Sequence, residues 1–247
     1  MKMMYKVLFA SVFLTAMLFF GCSKSSDNTT STPAYVKPAF RDTLIIVPPV
    51  MESYTYDNNT YGAMSYGLIQ GMNIYGFYGG IFYDVANESD LKATKNSDGS
   101  ITYTWYSYGG LSLNMIYSSS NGTSSWTYQV DSAGHKYNIC KDTETSIGGT
   151  FIWYQDENNT KGAEYTWTIS NQVNTATLKT YKSDGTTVEG QWDAVSNPDK
   201  SGTLNIKVLN NNNVLAYGYQ IVWNSSGHGT FKSIDPDNGT VLTNETF

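Results

Sequence analysis

The chain has 247 residues and carries 15 Lys and Arg against 21 Asp and Glu, a formal charge of -6. That acidic balance lacks the basic footprint that nucleic acid and anionic headgroups require, so no nucleic-acid partner is expected. Two Cys and two His leave little material for a disulfide framework or a metal centre, and 20 Tyr, 10 Phe and 6 Trp make the apolar inventory strongly aromatic.

At the amino end, Lys2 and Lys6 come before the apolar run Val7–Phe20, and Gly21-Cys22 follows it. A basic start and about fourteen apolar residues make an export signal, too short to span a bilayer as a mature helix. The segment Leu18-Phe19-Phe20-Gly21-Cys22 resembles the lipobox of bacterial lipoproteins, in the loose form found in Bacteroidetes. The resemblance implies that residues 1–21 are removed as a lipoprotein signal peptide. Cys22 then carries lipid on its thiol and on the new amino terminus. It implies a cell-envelope protein lipid-anchored to the outer membrane, on the periplasmic or the surface face. Several fatty chains on one cysteine anchor stably where a single chain is marginal. Residues 22–39 are then the lipidated cysteine and a flexible polar tether, with the low-complexity tract SKSSDNTTSTP at 23–33. If Cys22 is lipidated, Cys140 has no partner for an intramolecular disulfide.

Residues 40–247 read as a single domain. Leu44–Val47 is a short apolar run stopped by Pro48-Pro49, an edge strand or an extended lead-in. Tyr61–Tyr83 has no charged residue. Within it Met64, Leu68, Met72 and Tyr75 recur at helical spacing, Phe82 extends the row, and Gly67 and Gly71 suggest close approach of a helix to its neighbour. The spacing predicts a helix packed on a sheet, within a helical segment near 58–84. A pair of Gly-rich strands is one alternative, because each Gly costs a helix about 1 kcal/mol relative to Ala, and a transmembrane helix is another by length, diluted by Ser65, Gln70, Asn73 and six glycines.

From about residue 92 the period changes to two. Ile101, Tyr103 and Trp105 alternate with polar residues. So do Leu111 to Tyr117, Trp126 to Val130, Tyr137 and Ile139, Tyr165 to Ile169, Leu204 to Val208, and Tyr217 to Trp223. These are half-buried strands. Asp98-Gly99, Asn121-Gly122, Ala133-Gly134, Lys161-Gly162, Asp184-Gly185, Ser226-Gly227 and Asn238-Gly239 read as turns between them, and hidden turns are expected at Ser146–Gly149 and Asn210–Asn213. The fold class expected is mainly β: a single curved antiparallel meander sheet or partly open barrel, with about nine to eleven strands and one N-terminal helix packed on it. This element order is similar to the half-barrel-plus-helix architecture of periplasmic lipoprotein carriers.

Chemistry is sparse. His135 and His228 sit by predicted hairpin tips, and no HxH, HExxH or CxxC spacing occurs, so no metal and no cofactor are expected. Cys140 reads as a buried, inert thiol. Asp142, Glu144, Asp156, Glu157, Glu164 and Asp193 could in principle supply paired carboxylates, but most fall in presumed turns, where acids serve solubility. Asp235–Gly239 is a calcium-loop fragment without the later bidentate Glu. No catalytic residue is assigned and no enzyme is expected. The aromatic surplus carries what binding content there is, since Tyr and Trp stack on sugars as well as filling cores. The function expected is a non-enzymatic binding module for an apolar or carbohydrate ligand. The alternative is a structural or accessory envelope lipoprotein that binds a protein partner. The position of the Trp side chains separates the two.

Overall fold

In the computed structural model the described residues are 36, 45–77, 92–106, 112–132 and 134–247. The signal segment 1–21, Cys22, all of the tether but Val36, and residues 78–84 of the expected helical segment lie outside them. The described chain builds two helices, α1 (Val50–Ser53) and α2 (Thr60–Phe77), and then thirteen strands. The strands are β1 (Lys92–Lys95), β2 (Ile101–Tyr106), β3 (Ser112–Ser120), β4 (Thr123–Ser132), β5 (His135–Thr145), β6 (Gly148–Tyr154) and β7 (Lys161–Ser170). They continue as β8 (Val173–Tyr181), β9 (Val188–Ser196), β10 (Gly202–Leu209), β11 (Leu215–Trp223), β12 (Gly229–Ile234) and β13 (Val241–Thr246).

The sheet is a curved antiparallel meander. Each strand pairs with its sequence neighbours, in the order β1 to β13, and the outer sides of β1 and β13 are its two open edges. The expected fold class holds, while the strand count exceeds the expected nine to eleven. The turns explain the regularity. Asn121-Gly122 and Asn171-Gln172 take positive φ at both central residues, which is what a two-residue hairpin needs. Asp98-Gly99, Asp184-Gly185, Ser226-Gly227 and Asn238-Gly239 end their turns on a positive-φ glycine. Both hidden turns are present, at 146–147 and 210–213. Lys161-Gly162 is not a turn: both residues open β7, and Asp156–Thr160 turns the chain, with Asp156 accepting from the backbone N–H of Asn158 and Thr160.

One face of the sheet supplies the core. Cross-strand rows run along it, one of them through Trp126, Asp142, Phe151, Tyr165, Leu178, Trp192, Ile206 and Tyr219. Aromatic rings lie over glycines on neighbouring strands. A Cβ at Gly149 would come within 2.4 Å of the Trp167 ring, and one at Gly202 within 2.4 Å of Trp223, the direct cross-strand partners of these two glycines. Such pairs set register, since a one-residue slip would carry every ring to the other face.

The helix forms where the spacing predicts one, but its docked face differs. Asn59 caps α2 by accepting from the Gly62 N–H at 2.9 Å. The buried residues are Gly62, Ser65, Ile69, Met72 and Asn73; Met64 is exposed and Leu68 half-buried. The predicted row holds at Met72 and is displaced by one position at Met64 and Leu68, where Ser65 and Ile69 are buried instead, because the close approach is made elsewhere. A Cβ at Gly67 or Gly71 would meet nothing within 4 Å, whereas one at Gly62 would lie 2.5 Å from the Tyr54 ring. Asn73 fixes the chain before α1, accepting from Ile45 N–H at 2.9 Å and donating to Ile45 C=O at 3.0 Å. Among the described residues no helix is long and apolar enough to cross a membrane.

Candidate functional site

The least expected chemistry lies on the inner face of β5. Tyr137 and Ile139 begin this strand with one parity, but the ladder slips between β4 and β5: Gln129 pairs with Asn138 and Tyr128 with Cys140, so Ile139 is the extra residue of a bulge. The bulge turns Cys140, Asp142 and Glu144 inward. All three are buried, Asp142 and Cys140 completely. Asp142 stands between Trp126 and Phe151 in its row, and Glu144 beside Gly149 and the Trp167 ring.

This setting decides protonation. Burial, and next the neighbouring Glu144 carboxyl, push Asp142 well above the usual carboxylate range. Asp142 therefore keeps its proton where an exposed aspartate has lost it. Burial, with Asp142 adding to it, pushes the Cys140 thiol up as well, so no thiolate is poised for attack. The Tyr165 hydroxyl, two strands along the same row from Asp142, is pushed up by burial alone.

The remaining acids do not join this group. Asp156 and Glu157 sit in the β6–β7 turn, where hydrogen bonds from Thr160 hold Asp156 below its ordinary range. Glu164 and Asp193 lie on the outer face. Glu164 accepts from Lys161 Nζ at 2.6 Å. Asp193 accepts from Gln191 Nε2 at 2.8 Å, Thr177 Oγ1 at 3.0 Å and Lys207 Nζ at 3.2 Å. Burial raises its pKa, and those donors outweigh the burial and hold it low. These acids are engaged with their own neighbours. Among the described residues no three His, Cys, Asp or Glu are placed to hold a metal ion. His135 is exposed and bonds Glu157, while His228 Nδ1 lies 3.2 Å from the Tyr54 hydroxyl. Asp235 and Asp237 are spent within the turns: Asp237 accepts from the Asn211 N–H and Nδ2, each at 2.6 Å.

The outer face carries two shallow concavities. One, of about 130 Å³, is lined by Thr203, Asn205, Gln220, Val222, Thr230 and Lys232; the other, of about 70 Å³, lies over Thr166–Thr168 and Thr175–Thr177. Both fall below the roughly 300–1,000 Å³ of sites that enclose a small ligand. Trp105, Trp126, Trp167 and Trp223 are buried, and Trp153 and Trp192 pack half-buried against the same core.

The two ends of the strands differ. At the end holding the 121–122, 146–147, 171–172, 197–201 and 224–228 tips, helices and apolar contacts close the sheet. Ser196 donates to Ile46 C=O at 2.8 Å, the Tyr54 hydroxyl reaches the 224–228 tip, and a Cβ at Gly227 would lie 2.2 Å from Val50. At the other end, side chains join successive hairpins. Asn138 donates to Asn159, Gln155 to Lys182 C=O, Lys182 to Asn213, and Asn211 to Asp237. No known family model matches the chain, and no curated protein matches it.

Proposed function

We propose that the protein is a non-enzymatic accessory lipoprotein of the cell envelope. It is held to the outer membrane through Cys22, and it engages a protein partner with the polar outer face of β7–β12. One observation carries the choice of partner over ligand: the tryptophans are spent on the core, and the outer face is a shallow array of Thr, Asn, Gln and Lys. A tryptophan platform for sugars would need exposed indole rings, and an apolar carrier would need an open lined cavity. A carbohydrate is the second reading, favoured by the convergence of Thr203, Asn205, Gln220 and Thr230 on one groove.

Native mass spectrometry of the protein purified from its own host tests the choice. The accessory reading expects the mass of the lipidated chain with no retained small molecule, and a protein cross-linked from a photoreactive residue at position 203. A retained apolar molecule or glycan would replace it with the ligand reading. The anchor is tested by Cys22→Ser, which is expected to release the protein from the membrane fraction; retention after a high-salt wash would refute lipid anchoring.

A further inference from the structure

Large apolar side chains stand exposed at the helix-closed end of the sheet. Tyr56 is 81% and Ile147 66% exposed, and Ile46 and Val50 are exposed as well. The contacts above fix this location. Ile46 is tied to Ser196 at the end of β9, Val50 abuts the 224–228 tip, and Ile147 is the tip of the β5–β6 hairpin, its C=O accepting from Ile169 N–H. Isolated exposed apolar residues need no explanation, but a group on one end of a molecule does.

The chain's own course says what faces that end. Trp126 Nε1 donates to Val36 C=O at 3.0 Å, three residues into β4 from the 121–122 tip, so Val36 sits in the helix-closed half. Thirteen residues lie between Cys22 and Val36, a span of fourteen peptide steps. A span of that length reaches no more than about 50 Å. A lipid on Cys22 therefore keeps this end within touching distance of the leaflet, at high effective concentration. Val214, Val241 and Leu242 are exposed at the opposite end, away from Val36.

We infer that the helix-closed end is a membrane-contact surface. Tyr56, Val50, Ile46 and Ile147 settle into the headgroup layer of the leaflet that holds the lipid, leaving the hydrogen-bonded end pointing away. Tyr suits this depth, with an apolar ring and a hydroxyl that stays wet. The lipid chemistry follows from charge. Glu52, Asp57, Asp98 and Asp199 lie at this end against Lys95 and Lys200. An anionic surface would repel it, so the surface it fits is zwitterionic.

The inference rests on the lipid-anchor reading, and the two fail separately. The lipidated full chain carries a nitroxide on Tyr56→Cys or, as the control, on Asp237→Cys, and is bound to phosphatidylcholine–phosphatidylethanolamine vesicles. The label at 56 is expected to lose accessibility to a polar nickel quencher and gain it to oxygen, while the label at 237 stays water-like. Equal, water-like accessibility at both positions overturns the contact surface even if Cys22→Ser proves the anchor real. Shielding at 56 that is as strong without vesicles overturns it too, since a second protein copy would then be the cover. Undiminished shielding in wholly anionic vesicles overturns the zwitterionic assignment.

Discussion

The two ends of this sheet solve one problem by opposite means. Every hairpin leaves polar backbone at its tip, and thirteen strands in a row need their ends kept together. One end uses burial: α1 and α2 bring Met51, Tyr54, Ile69 and Met72 against the inner face, and Gly62 and Gly227 allow the approach. The other end uses hydrogen bonds between exposed side chains, from Asn138 through Lys182 to Asp237. Burial removes apolar surface from water and is worth several kilocalories per side chain, whereas an exposed hydrogen bond exchanges one polar partner for another. The helix-closed end should therefore carry stability, and the hydrogen-bonded end mainly order.

Met51→Ala tests the first half most directly. Met51 is fully buried, and its truncation is expected to cost about 2–5 kcal/mol in urea denaturation. A loss below 1 kcal/mol, on the order of a surface change, would mean the helices only decorate the sheet.

The buried acid sharpens the same contrast through pH. Asp142 lies in the helix-closed half of β5, with its folded-state pKa above the unfolded one. The folded state then holds more protons, so stability is greatest below the unfolded pKa, near 4, and falls as pH rises toward the folded value, by at most about 1.4 kcal/mol per pH unit. Asp142→Asn is expected to flatten that fall in denaturation midpoints measured between pH 4 and 8. An unchanged slope would remove Asp142 as its source.

Glycines at the two ends separate backbone strain from contact. Gly122 has φ of +77° with nothing within 4 Å of a Cβ, so Gly122→Val is expected to cost about 1 kcal/mol or somewhat more from strain alone. Gly185 has φ of +67°, and a Cβ there meets Thr160 at 2.6 Å, so Gly185→Val should cost more. Equal losses would show that the turn beside Gly185 gives way freely. The smallest effect is expected from Asp237→Ala, which removes the bonds from Asn211. Thermal stability should fall by less than about 1 kcal/mol, with faster amide exchange confined to the β10–β11 and β12–β13 turns.

Much of this architecture was legible as a pattern of residues. Tyr, Trp and Ile at every second position marked β2, β4, β7, β10 and β11, because their inner faces are built from large apolar side chains. The pattern weakens where the core is filled from elsewhere. On β8 the inner residues are Asn174, Ala176 and Leu178, small enough to lie beside Trp167 and Trp192 and too mild to announce a strand. β13 buries almost nothing and so carries no alternation. The inward turn of Asp142 and Glu144 was hidden by the bulge at Ile139: period two extended from Tyr137 puts them on the outer face, where acids need no explanation. The outer groove was equally silent, since Thr, Asn and Gln on a strand look the same whether they meet water or a partner.

The exclusively sequential pairing of the strands bears on how the chain reaches this form. Among the described residues no ladder joins strands distant in sequence, so each hairpin can close over a short loop as soon as its second strand is present, which favours fast folding for a β protein. The exception is the docking of α1. Val50 and Tyr54 must wait for the 224–228 tip, made by a segment 173 residues after Tyr54. A chain delivered from its amino end would thus assemble its sheet hairpin by hairpin and hold its first helices unsatisfied until nearly the last strands arrive. Premature arrest would leave Met51, Ile69 and Met72 bare, and the intermediate most prone to aggregate is one whose sheet is already long.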